Sequence, residues 1–173
     1  MPNFRLAAAL SVLSILQGCS PTYNWRDVRP DQTPLVALFP CKPEQRARLV
    51  SLAQKDVTMT MWGCDADGAT FTLAYADMKD LASTGAVLGQ WKSATLANLR
   101  ARSVEERPFL LRGASVLPQS VQVAARGTQP DGAAVTLRAV WFTAGTLVYQ
   151  AAIYADADDL AVADTFFSGI RLQ

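Results

Sequence analysis

Histidine is absent from the 173 residues. Its absence removes the Ser-His-Asp and Cys-His devices of nucleophilic catalysis and every His-ligated metal site. Neither sign of charge is in excess: 16 Lys and Arg against 15 Asp and Glu leave a formal charge of +1, with no electrostatic footprint for nucleic acid. No glycine-rich phosphate loop follows a strand, no Gly-x-Ser-x-Gly occurs, and there is no internal repeat. Cysteine is scarce, three residues in all. The chain is half apolar and 18% charged, a globular balance, and its length suits one domain with short extras.

What is present is strand periodicity. Val121, Val123 and Ala125 alternate with Gln122, Ala124 and Arg126. Val135, Leu137, Ala139 and Trp141 alternate with Thr136, Arg138 and Val140, and Leu147, Tyr149, Ala151 and Ile153 with Val148, Gln150, Ala152 and Tyr154. Turn signals at Gln129-Pro130-Asp131-Gly132 and Thr143-Ala144-Gly145 separate the three runs. This pattern predicts an antiparallel meander over 120–154 with one covered face. Upstream, Leu35–Phe39 is a short apolar run closed by Pro40-Cys41-Lys42-Pro43, and Glu44–Leu52 alternates weakly. Val57, Met59 and Met61 alternate with Thr58, Thr60 and Trp62, and a strand bearing Phe71, Leu73 and Tyr75 returns after a hairpin at Asp67-Gly68.

Two segments change to a helical period. From Asp80 or Thr84 to about Arg102, Leu88, Trp91, Thr95 and Leu99 form a stripe widened by Leu96, with Gly85 and Gly89 weakening the first turns. Arg107-Pro108 marks an exit, with Glu105-Glu106-Arg107 a solvated loop and Phe109–Leu111 a further strand before the meander. From Asp158 to Phe167 a second helix is predicted, capped by Asp158 or Asp159, with Leu160, Ala163 and Phe167 on one face and Ser168-Gly169 as its stop. Ile170-Arg171-Leu172 is a terminal strand candidate. Trp91, Leu99, Leu137, Tyr149, Ile153 and Phe167 are the expected core.

The first residues read as a targeting segment: Arg5, then an apolar run from Leu6 to Leu16 too short to anchor as a membrane span. Leu16-Gln17-Gly18-Cys19 resembles the lipobox of bacterial lipoproteins. The resemblance implies a signal peptide over 1–18, acylation of Cys19, and, from Ser20 after the Cys, the outer membrane. The ordinary alternative is a secretory signal with a chance Cys. Residues 19–34, with Pro21, Pro30 and Pro34, read as an acylated tether, and 35–173 as one domain. With Cys19 acylated, Cys41 and Cys64 remain. The inferred oxidising compartment, and a hairpin near Gln54-Lys55 that sends both to one open end, predict a Cys41–Cys64 disulfide. Two buried free thiols are the alternative.

The strand end "LFPCKP", the hairpin closing on "TLAYADM", a helix with "LANL", the meander with "LVYQAAIY" and the terminal "ADTFFSGIRL" occur in an order that resembles the PsbP-like superfamily over about 35–173. That resemblance implies an α+β fold, a bent antiparallel sheet between helices in an α/β/α sandwich. It also implies a binding or assembly scaffold; no catalytic residue carries over.

Asp65-Ala66-Asp67-Gly68 has a faint likeness to a calcium loop but lacks the third acidic position and the closing Glu, so a hairpin turn is the reading. Asp156-Ala157-Asp158-Asp159 is explained by a helix start. The expected function is therefore a lipid-anchored, non-catalytic binding or assembly module of the cell envelope. It faces the periplasm, needs no cofactor or metal, and meets the membrane through acyl chains on Cys19 and an envelope protein or small molecule through the domain. The alternative is a small-molecule carrier with a pocket between the sheet and the helix bearing Trp91. A pocket well above ~300 Å³ favours the carrier; a shallow exposed apolar patch favours assembly.

Overall fold

In the computed structural model, residues 22–129 and 131–173 are described. The expected signal segment, Cys19 and Pro130 of the 129–132 turn lie outside them. Seven strands form one antiparallel sheet: β3 (Glu44–Leu52), β4 (Lys55–Ala66), β5 (Ala69–Asp77), β6 (Ser103–Pro108), β7 (Val121–Thr128), β8 (Ala134–Ala144) and β9 (Leu147–Ala155), in the order β3-β4-β5-β9-β8-β7-β6. A second, three-stranded sheet pairs β2 (Leu35–Phe39) with β1 (Arg26–Val28) on one side and β10 (Arg171–Leu172) on the other. Two helices complete an α+β fold: α1 (Thr84–Asn98), entered through a 3-10 turn at Leu81–Ser83, and α2 (Leu160–Ser168).

The hairpins follow from their turn residues. Asp67 and Gly68 both take positive φ, 52° and 71°, as a two-residue turn between right-twisted strands requires. Ala53 and Gln54 do the same at 49° and 62° between β3 and β4, where neither residue type signals the turn. The resulting register sets Glu44 against Gly63, which leaves Cys41 near Cys64 across the open end of the hairpin. The two are joined as a disulfide with Cα atoms 6.1 Å apart.

The expected single covered face is corrected. One face of the central strands packs Val123, Leu137, Ala139, Trp141, Val148 and Ala152 with Val87, Leu88 and Trp91 of α1. The other packs Phe71, Leu73, Val140, Phe142, Tyr149 and Ile153 with Phe39 of β2 and Phe166 and Phe167 of α2. Phe166 meets Phe39 and Phe71 edge-on, with ring centroids 5.5 and 5.4 Å away. Small apolar residues on both sides of β9 hide the second covered face from a polar–apolar reading. The six residues expected in the core are all buried.

Five further expectations change. Leu160 stands exposed at 58%, because the buried stripe of α2 runs through Ala163, Phe166 and Phe167. Glu105-Glu106-Arg107 belong to edge strand β6 rather than to a loop, and Phe109–Leu111 is not a strand. α1 ends at Asn98, with Leu99 as its C-cap. The segment read as a tether contributes β1, and its later part is strapped to the sheet. The Tyr75 hydroxyl donates to the Asp31 carbonyl at 3.0 Å, and the Tyr149 hydroxyl and Thr33 Oγ1 lie 2.7 Å apart. Burial pushes the Tyr149 hydroxyl up to about 12, against the pull of Thr33, so it stays neutral across ordinary pH. A polar, proline-rich sequence carries no signal for such strapping, which depends on two tyrosines more than forty residues away.

α1 is fixed at its C-terminal end by close backbone approach. Thr128 N donates to the Leu99 carbonyl at 2.8 Å, and Arg102 N to the Arg126 carbonyl at 2.8 Å. Gly127 makes this possible: a Cβ there would lie 2.2 Å from the Leu99 oxygen. Gly127→Ala is expected to lower unfolding free energy by about 2 kcal/mol through overpacking. Gly89→Ala, whose nearest foreign atom is 3.8 Å away in a helix interior, should raise it by about 1 kcal/mol. Urea titration of the two variants reads both signs. Removing the bridge with Cys41→Ser and Cys64→Ser together should cost about 3 kcal/mol in the same assay, the loop-entropy value for a separation of 23 residues.

Candidate functional site

A single helix cannot cover a seven-stranded sheet. Strands are about 4.8 Å apart and a helix with its side chains is about 10 Å across, so α1 shields two or three strands. It lies over β8 and β9 and also touches β3 at the sheet edge. Beside it the sheet face from β5 to β3 is left partly open, and the two together form a groove of about 570 Å³.

Each wall has a local cause. α1 supplies Trp91, Thr95, Asn98 and Leu99, the C-terminal half of the stripe read from its period. β4 supplies Met59 and Met61, on alternate residues and therefore on one face. The floor carries Thr70, Thr72 and Ala74 of β5 and Gln150 and Tyr154 of β9. Arg48 of β3, directly across from Met59 in the ladder, stands at the rim.

The polar groups of the floor are sparse and placed. Gln150 is only 7% exposed, and its Nε2 donates to Thr95 Oγ1 at 3.0 Å, which ties helix to sheet inside the groove. Thr72 Oγ1 donates to the Ala152 carbonyl at 3.3 Å. Burial raises the Tyr154 hydroxyl, with no hydrogen bond to offset it, so it remains a neutral donor. Arg48 enters none of the ion pairs among the described residues, whereas its neighbour Arg46 reaches Glu44 at 2.9 Å.

A second hollow, about 760 Å³, lies at the start of α2. Three of its four carboxylates are already engaged, Asp156 being the exception among the described residues. Asp158 accepts from Arg138 at 2.5 and 2.7 Å, and that guanidinium holds it below the ordinary carboxylate range. The Asp159 side chain caps α2 by accepting from Val162 N at 3.1 Å. Asp67 accepts from the Tyr23 hydroxyl at 2.9 Å; burial, then Asp67, pushes that hydroxyl up to about 12. Among the described residues no group of three or more His, Cys, Asp or Glu is placed to hold a metal ion. Arg138 and Asp158 thus divide the two capping candidates of the sequence: Asp159 caps, and Asp158 forms a salt bridge.

Of the residues singled out from sequence, Cys41 and Cys64 are joined and do not line the groove, Trp91 does line it, and Cys19 is outside the described residues. Arg48, Tyr154 and the Gln150–Thr95 pair were not singled out. Met59 and Met61 were legible as an alternating pair; nothing in the sequence aligns them with Trp91.

No protein-family model matches the chain. No curated protein matches it either. Among solved structures it is similar to PA94, a protein of unknown function from Pseudomonas aeruginosa, at 14% identity and a TM-score of 0.44, over 83% of this chain and 91% of that one.

Proposed function

We propose that the protein is a lipid-anchored, non-catalytic binding module of the bacterial cell envelope, and that it works as a carrier of a small amphipathic molecule in the groove beside α1. The groove carries this reading. Its volume of about 570 Å³ falls in the range of small-molecule sites. Its apolar walls of Met59, Met61 and Trp91 face a few fixed polar groups, the usual composition of a site that buries an apolar body and orients it. The methionines suit a ligand of variable shape, since their unbranched side chains repack at little cost. The element order that resembles the PsbP-like superfamily supports a scaffold that binds. The engagement of Asp67, Asp158 and Asp159 by partners of their own supports a module without acid–base work.

Anchoring follows from Leu16-Gln17-Gly18-Cys19. Acyl chains on Cys19 would each contribute about 0.8 kcal/mol per buried methylene and hold the domain at the membrane, facing the periplasm and, by Ser20, at the outer membrane. The Cys41–Cys64 bridge supports an oxidising location. A traceable fatty acid fed to cells should label the wild type and leave Cys19→Ser unlabelled; equal labelling of the two overturns the anchor.

The groove is tested with N-phenyl-1-naphthylamine, a neutral apolar fluorophore. Saturable binding at about one equivalent, with a micromolar dissociation constant, is expected. Met61→Asp, which sets a charge in a half-buried wall, should weaken it at least tenfold, and Leu110→Asp, on an exposed loop residue away from the groove, should leave it unchanged. Non-saturable fluorescence, or equal loss in both variants, rejects the carrier.

A further inference from the structure

The groove is not electrically uniform, and its polarity names a ligand class. We infer that it takes a single-chain amphiphile with a carboxylate head, a long-chain fatty acid, seated with the carboxylate at Arg48 and the chain along Met59, Met61, Trp91 and Tyr154. This inference rests on the carrier reading above.

Charge sets the orientation. Arg48 faces Met59, which faces Ala76 of β5; Asp156 follows Ala155, which faces Ala69 of β5. Both Arg48 and Asp156 line the groove. Seven residues of β5 separate the two levels, about 23 Å at roughly 3.3 Å per residue. A cation therefore marks one end and a carboxylate the other. An anionic head is drawn to Arg48 and repelled from Asp156.

Exposure makes the arrangement workable. Arg48 is solvent-exposed, so a carboxylate reaching it keeps much of its hydration and avoids the cost of burying an ion. Its guanidinium is free of ion pairs among the described residues, so no existing pair has to break. Between the two ends the wall is Met59, Met61 and Trp91, and the polar groups of the floor are neutral: Thr70, Thr72, the Gln150–Thr95 pair and the Tyr154 hydroxyl. An aliphatic chain meets no charge there. A polyhydroxylated molecule would leave most of that wall without an apolar partner.

The experiment displaces N-phenyl-1-naphthylamine from the protein with palmitate and with hexadecanol, which differ only in the head. Palmitate is expected to compete more strongly, by up to about fivefold, the upper end for an exposed charge pair. The preference should vanish in Arg48→Gln, survive in Arg48→Lys, and shrink at 1 M salt, where the screening length falls to about 3 Å. Equal competition by acid and alcohol, or a preference untouched by Arg48→Gln, overturns the fatty-acid assignment and leaves the carrier standing. Failure of the naphthylamine itself to bind saturably overturns both.

Discussion

The antiparallel ladder of β5, β9 and β8 is the constraint on which the rest of the structure depends. These strands are central and buried on both faces, so each must find cover twice. α1 supplies it on one side; α2 and the small sheet supply it on the other. The layers are a consequence of satisfying one sheet, as expected for a domain built around a single two-faced element.

The two sides are covered differently. The α2 side is packed by aromatics that include Phe39, Phe166 and the Phe142–Tyr149 stack, with ring centroids 4.8 Å apart, and opens into the hollow of about 760 Å³ at the start of α2. On the α1 side one helix meets a sheet too wide for it, and the uncovered remainder is the groove. The strands that flank it are protected in another way: β3, at the sheet edge, carries Glu44, Arg46 and Arg48, charges that discourage pairing with a foreign strand. One of these charges, Arg48, also lines the groove, because the edge strand is the groove rim.

The first described residues belong to the α2 side. β1 pairs with β2, Arg171 of β10 reaches Asp27 of β1 at 2.7 Å, and Tyr23 reaches the Asp67-Gly68 hairpin. With the disulfide at the open end of the β3–β4 hairpin, these contacts tie the first described residues to the sheet.

Much of the secondary structure was set locally and was legible. The alternation of β7, β8 and β9, the Asp67-Gly68 turn, the Leu88–Trp91–Leu99 stripe and the stop at Ser168-Gly169 depend on residues within a few positions of one another. Cys41 and Cys64 could be paired because one hairpin relates them. The remainder depended on partners distant in the chain. Whether β9 has one buried face or two is decided by α2 and β2, and no property of Leu147–Ala155 announces them. The strand at Arg26–Val28 exists because Leu35–Phe39 lies beside it and Tyr75 and Tyr149 hold the intervening loop. The groove is further still from the sequence: it is the difference between the width of a sheet and the width of a helix, lined by residues from seven elements. By itself the sequence determined the strands, the helices and the chemistry that histidine's absence forbids. Only the tertiary structure decided that Arg48, Met59, Trp91 and Tyr154 would share one surface, because that depends on where α1 crosses the sheet and how much of it is left uncovered.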